Sequence, residues 1–317
     1  MSLSFRPAQA SDLPRCQALL ATLVPEVYSV EVWDALPSLW SRLRSERRLE
    51  IHVFEDSARP AAQKVFCMAS GVFVTPEFVA DLLAAPRPYL ASEIYRRELA
   101  GDSVILSRAV IAGANAGPGI DAVGLDYAVE RLRWTDLAGL RVLPLIPESL
   151  RAWIGGYRIN SLHRELFERE LHIMARAAGL RRRKPSRSLL QAAGSRRTLR
   201  PTLFGLTRAE ALAHPGSAAS LHFLYTDPIL RFTPAQQELL TLALFGQADT
   251  EAANTLDISL STVKKHWGAV FERVARVRPD WLPHQAIGAD DGKRGVEKRR
   301  HLLNYLRQHP EELRPLA

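Results

Sequence analysis

Cysteine is nearly missing from this 317-residue sequence: Cys16 and Cys67 stand far apart and form no redox or metal-ligand spacing. That argues against a disulfide-stapled secreted scaffold and against a thiolate metal centre. Two buried free thiols in a reducing compartment are the expectation. Lysine is scarce too, six residues against 36 arginines, with none between Lys64 and Lys184. A phosphoacceptor receiver needs an early acidic pair and a lysine after its acceptor strand, so that sensor class does not fit. No apolar run approaches the roughly 18–20 residues of a membrane-spanning helix. The start, MSLSFRPAQASD, carries Arg6 and Asp12 where a secretory signal has its apolar core. A cytoplasmic protein with no membrane partner is expected.

What is present is enough for two domains, with 47% hydrophobic residues to fill their cores. The formal charge of +8 is unevenly placed. Arg181–Arg200 holds eight basic residues and no acid, so the remainder sums to zero. Such a run is either a solvated linker or an accessory nucleic-acid contact. The expected class is α+β: a mixed α/β domain over 1–180, a basic linker with closing elements over 181–230, and an all-α domain over 231–317.

Within the front domain the patterning predicts strands at Leu3–Arg6, Leu49–Phe54, Lys64–Val74 and Ser103–Ala112. It predicts helices from Asp12 to Leu23, over Val30–Arg44 and over Ser92–Leu99. The longest predicted helix is Leu162–Ala178. Thr207 with Glu210 forms a capping box, and Leu221–Tyr225 reads as a closing strand.

Phe232–Val274 carries the sharpest local signals. Thr233, Pro234 and Gln236 announce one helix, and Gly246 ends it. Asp249 is placed to cap a second, short helix with Ala252, Ala253 and Leu256 inward. Asp257-Ile258 make the turn, and Ser259 caps a third helix. At about 100° per residue, Val263, Trp267, Val270 and Val274 share one stripe of that helix, while Ser261, Lys265 and Gly268 lie opposite. A helical hairpin of this kind suits DNA binding. A fourth helix, Gly295–Gln308, is expected after a loop with Pro279, Pro283 and an Asp290-Asp291-Gly292 turn.

The stretch resembles the LuxR-type DNA-binding domain over 43 of the 317 residues. Thr233-Pro234, Glu238, Leu240, Gly246, Glu251, Ala253, Leu256, Ile258-Ser259, Thr262-Val263-Lys264 and His266 match its pattern. Gln236, Ala252 and Asp257 depart from it. The resemblance implies a helix-turn-helix whose Lys264, Lys265 and Gly268 face double-stranded promoter DNA, with Ser261 and Thr262 on phosphates. It also implies RNA polymerase and a second copy of the chain as partners. The segment itself has three basic and five acidic residues, so it neutralises few phosphates unaided. The pocket set of an acyl-homoserine-lactone sensor has no counterpart upstream.

Phe5-Arg6-Pro7-Ala8 with Asp12-Leu13, followed by helices and paired strands, resembles the GNAT family of N-acetyltransferases. That resemblance implies a loop of backbone N–H groups opening a helix and cradling the pyrophosphate of acetyl-coenzyme A. Gly113–Gly119 is the candidate, although Pro118 removes one donor and no leading Arg or Gln stands at the right distance. An ordinary loop is the other reading, and the cofactor is left unassigned. His163, Glu165, Glu168 and His172 read either as a salt-bridged helix surface or as a metal site. Trp33, Trp40, Phe73, Phe78 and Tyr89 read as core or as pocket lining. The chain is expected to be a transcription regulator that binds without making bonds; the alternative is an acetyltransferase-like enzyme with an appended helix-turn-helix.

Overall fold

A computed structural model describes residues 3–23, 27–130, 137–183, 201–281 and 291–316. The chain divides into one unit ending at Leu224 and a second over Tyr225–Leu316.

The front unit is built on one seven-stranded sheet. Its strands are β1 (Leu3–Pro7), β2 (Glu50–Asp56), β3 (Val65–Val74), β4 (Ile120–Val129), β5 (Ile159–Leu166), β6 (Arg181–Arg182) and β7 (Thr202–Thr207). Their spatial order is β1-β2-β3-β4-β5-β7-β6. Every neighbouring pair is antiparallel except β4 and β5. A parallel pair needs a long crossover, supplied here by α6 (Leu137–Val142) and α7 (Leu145–Ile154).

Helices α1 (Leu13–Leu23), α2 (Val30–Ser45), α3 (Pro76–Ala84) and α4 (Leu90–Leu99) cover one face. Ser29 and Thr75 cap α2 and α3 through their hydroxyls. Leu36, Leu39, Trp40 and Leu43 of α2 repeat at helical spacing and are buried on Ile51, Val53 and Met68 of the sheet. Each such side chain stabilises the unit by about 1.5–3 kcal/mol. The opposite face takes α5 (Arg108–Ala116), α7 and α9 (Arg208–Ala213) on Phe73, Ile120, Ile159, Leu162 and Leu206. Helix α8 (Arg169–Ala177) packs over Leu166 and Phe204.

Three local expectations are corrected. Ser103–Ala112 is not a strand: Ser107 caps α5, and only Ile105 bridges to Val74. Leu162–Ala178 is not one helix but the end of β5 followed by α8, because pairing to strands on both sides overrides the helical spacing. Leu221–Tyr225 is not a strand; Ser220–Phe223 form a 3-10 turn. In the basic stretch, Arg181 and Arg182 form β6, and Arg183 reaches Glu210 at 2.6 Å; residues 184–200 lie outside the described residues.

The rear unit is helical. Helices α10 (Pro234–Leu244), α11 (Asp249–Leu256) and α12 (Leu260–Val277) enclose Leu239, Leu240, Ala253, Val263, Trp267 and Val270. Helix α13 (Asp291–Gln308) adds Leu302 and Leu306. The loop predicted around Pro283 and Asp290 lies outside the described residues. Asp257 sits at φ +53°, the left-handed conformation the turn requires and Asp tolerates. Ser259 caps α12 by accepting from Thr262 N at 3.1 Å. Asp249 is not a cap: it is the first helical residue, and Glu251 closes onto Ala248 N instead. Its carboxylate accepts from Trp267 Nε1 at 3.1 Å and pairs with Arg299, whose guanidinium lies 4.0 Å from the Trp267 ring centre.

Candidate functional site

Strands β4 and β5 pair only as far as Gly124 and Arg164. Beyond that point β4 stays paired with β3 to Val129, and β5 stays paired with β7 to Leu166. The two parallel strands therefore part at their carboxyl ends, leaving an unpaired β4 edge facing a gap. The cause is local. Ala69 pairs with Tyr127 and Gly71 with Gly124, so the single residue Ser70 opposes both Leu125 and Asp126. A bulge of this kind bends its strand and redirects a side chain. Leu125 and Asp126 consequently both turn towards the α1–α4 face.

Asp126 is 3% exposed and sits in a shell of hydroxyls. Ser70 Oγ and Tyr95 Oη each donate to its Oδ2 at 2.8 Å, and Tyr28 Oη donates to Oδ1. Trp40 Nε1 donates to Tyr95 Oη at 2.9 Å, extending the network into α2. Burial pushes the Asp126 carboxyl up, against the pull of the three hydroxyls. Across the gap, Glu165 of β5 accepts from Leu90 N at 2.5 Å, at the amino end of α4. Burial raises Glu165 to about 8, although two backbone amides favour its charged form. Tyr28, Asp126, Tyr127, Glu165, Leu166 and Leu171 line a cavity of about 70 Å³.

Two chemical capacities follow. A carboxyl that holds its proton up to about 8 exchanges protons near neutrality, as a general base must. An unpaired strand edge offers N–H and C=O groups to an extended, amide-bearing ligand. The carboxyl ends of parallel strands are also where open α/β sheets bind ligands.

The sequence-predicted groups distribute differently from expectation. His163 and Glu165 lie on β5, Glu168 precedes α8 and His172 lies within it, so no helix face carries the four. Among the described residues no group of three His, Cys, Asp or Glu side chains is placed to hold a metal. His163 is fully buried against Gly205, and burial lowers its imidazole to about 4. Gly113–Gly119 ends α5 and precedes β4, so its glycines open no helix. Gly119 serves a turn at φ +100° packed on Asn160. Residues 131–136, which follow β4, lie outside the described residues. Trp40 and Phe73 belong to the cores, while Phe78 packs in the core and also lines a small cavity of about 30 Å³ with Leu82, Leu90 and Arg97. Sequence reasoning missed Asp126 altogether and placed Glu165 on the wrong kind of element.

In the rear unit Ser261, Lys264, Lys265 and Gly268 are exposed and Thr262 is half-buried. Val263, Trp267 and Val270 of the same helix are buried. Ser259 Oγ lies 2.8 Å from both Ser261 Oγ and Thr262 Oγ1. A Cβ at Gly268 would meet nothing within 4 Å. Among the described residues no helix is long and apolar enough to cross a membrane.

No family model and no curated protein matches this sequence. Solved structures do match, over the N-terminal two thirds of the chain. An acetyltransferase of the GNAT family from Staphylococcus aureus is 6% identical, with a TM-score of 0.35 over 65% of this chain and 99% of its own. The spermidine/spermine N-acetyltransferase SpeG from Vibrio cholerae is 10% identical, with 0.39 over 67% and 96%. Arabidopsis thaliana NAA60, solved with a bisubstrate analogue, is 13% identical, with 0.38 over 65% and 98%. The expectation of a chain that makes no bonds is corrected here: the proteins it is similar to in fold are N-acetyltransferases. The front unit is a mixed α/β sheet similar to GNAT structures, and a helical region follows it.

Proposed function

We propose that the chain is an acyl-coenzyme A-dependent N-acyltransferase whose rear unit attaches it to DNA. The parting of β4 and β5, with the proton-holding Glu165 in one wall, is the observation that carries the reading. The unpaired β4 edge fits the amide-bearing arm of coenzyme A, while residues that would meet its pyrophosphate are left unassigned. Bound there, acetyl-coenzyme A supplies an activated acyl group. In its ionised form, which grows as pH rises towards about 8, Glu165 accepts the proton of the attacking amine, and its anchorage on the amino end of α4 fixes where that proton is taken. Asp126, held by three hydroxyls, keeps the bulge and the adjoining strand edge in place.

For the rear unit we propose a LuxR-type helix-turn-helix. Lys264 and Lys265 meet the major-groove edge, Ser261 and Thr262 meet phosphate, and Gly268 lets the helix approach closely. The exposed lysines opposite a buried Val263–Trp267–Val270 stripe support this.

Calorimetry with acetyl-coenzyme A, followed by thiol release with a panel of amines, tests the first part. Glu165→Gln is expected to keep cofactor binding and to lose about 10²–10⁴-fold in turnover. Absence of heat with wild-type protein at millimolar cofactor rejects it. For the second part, Lys264→Ala with Lys265→Ala is expected to abolish retention on selected genomic fragments with thermal unfolding unchanged. Undiminished retention rejects the assignment of those lysines.

A further inference from the structure

The cavity between the parting strands carries charge of one sign only. Leu20 of α1, Ala91 of α4, Leu125 of β4 and Leu171 of α8 give it hydrocarbon walls. Asp126, Glu165 and Glu168 bring carboxyls, and among the described residues no lysine, arginine or histidine lines it. Arg164, next to Glu165 in β5, lines a different cavity on the other face of the sheet, as strand alternation requires. The three carboxyls differ in depth. Asp126 and Glu165 are buried, whereas Glu168 is half-buried where α8 begins. Glu168 stands at the N-cap position of α8, yet its side chain caps no amide of that helix. Phe167 and Leu171 beside it are half-buried as well, so the cavity opens along this edge.

Each property restricts what can enter. One water needs about 10–15 Å³ of such space, so a cavity of about 70 Å³ holds roughly five to seven non-hydrogen atoms. The hydrocarbon walls favour CH₂ groups over hydroxyls, which would lose water without gaining a partner. A carboxylate next to the amine would share the space of Asp126 and Glu165 with no cation to meet it, and like charges so placed are strongly disfavoured. An ammonium instead meets the Glu168 carboxylate on entry.

We propose that the acyl acceptor is a primary amine on a short hydrocarbon arm of about four or five carbons, with no carboxylate beside the nitrogen, and that Glu168 selects it. This substrate class rests on the acyl-transfer reading above, in which the β4 edge takes the donor. The arriving ammonium sheds one proton to water at the mouth. The nitrogen lone pair then forms the bond to the acyl carbon, and the carbon–sulfur bond breaks with its pair on sulfur. The second proton passes through Glu165 to the thiolate.

Thiol release by the full chain with acetyl-coenzyme A tests it on n-butylamine, norvaline and norvalinol. The three share one carbon chain and carry hydrogen, carboxylate or a neutral hydroxymethyl group beside the nitrogen. The kcat/KM for butylamine is expected to exceed that for norvaline by about a hundredfold or more, with norvalinol closer to butylamine. Glu168→Gln should raise the butylamine KM about tenfold, keep kcat and the heat of acetyl-coenzyme A binding, and narrow the gap to norvaline. Norvaline used within about tenfold of butylamine overturns the proposal. So does norvalinol used no better than norvaline, or an unchanged butylamine KM in Glu168→Gln. Release with other amines but not with butylamine overturns the substrate class and leaves acyl transfer standing; release with none overturns both.

Discussion

The two units handle buried polarity in opposite ways. In the rear unit the buried polar side chains serve backbone ends, apart from Glu311 beside His309. Glu312 accepts from Ile229 N and Leu230 N at 3.0 and 2.8 Å, Gln236 accepts from Thr233 N, and Gln237 donates to Arg314 O. Ser261, Lys264 and Lys265 are exposed instead. The front unit keeps Asp126, Glu165, His163 and Arg164 inside a sheet, with protonation or pairing displaced from the ordinary. One unit spends its buried polarity mainly on backbone ends, the other holds ionisable groups away from water.

Removing Trp267 attacks the rear unit at its centre. Trp267→Ala deletes a buried ring, its bond to Asp249 and the stacked Arg299. A loss of about 3–5 kcal/mol is expected; circular dichroism should show lost helix, and limited proteolysis should cut first within residues 225–316. Glu165 makes the matching test of the front unit through pH. Unfolded, it releases its proton near 4.5; folded, it keeps it to about 8. The folded state binds more protons between those values, so stability falls as pH rises through that window. Glu165→Gln should flatten the fall, by on the order of a few kcal/mol at the alkaline end; denaturant midpoints at pH 5 and 8.5 measure it.

Gly205→Ala sharpens the contrast further. Its Cβ would stand 2.2 Å from His163 Nδ1, an overpacking cost of about 1–3 kcal/mol. Adding His163→Ala should recover part of the loss in chemical denaturation, and no recovery would place the strain elsewhere. Ser259→Ala is the mildest change. It removes the cap of α12 and is expected to cost about 1 kcal/mol, read as a small drop in melting temperature.

The contrast also governs how much could be read in advance. Helical signals are local: Thr233 with Gln236, Asp257 in the turn and Ser259 as cap stand where their residue types place them. The first three strands, β1 to β3, alternate or run apolar and were equally legible. The two strands that form the candidate site were not. In Ile120–Val129, Gly124 and the doubled Leu125–Asp126 break the alternation that marks a strand. In Ile159–Leu166, Leu162 and Leu166 lie four apart and charged residues follow, which is helical spacing. Only pairing with β4 and β7, distant in sequence, makes it a strand. The residues with the most unusual environments were hidden because their environment is long-range.

The doubled position opposite Ser70 lets β4 carry one residue more than β3 between the same two pairs without turning either flank over. Gly124 meets Gly71 and Tyr127 meets Ala69 on each side of it, so losing one of the two would even the ladder while the rest of the strand kept its faces. What would go is the surplus side chain turned towards α1–α4. A chain without Asp126 would leave the Ser70 and Tyr95 hydroxyls no carboxylate to donate to, and Arg164 no carbonyl at that place.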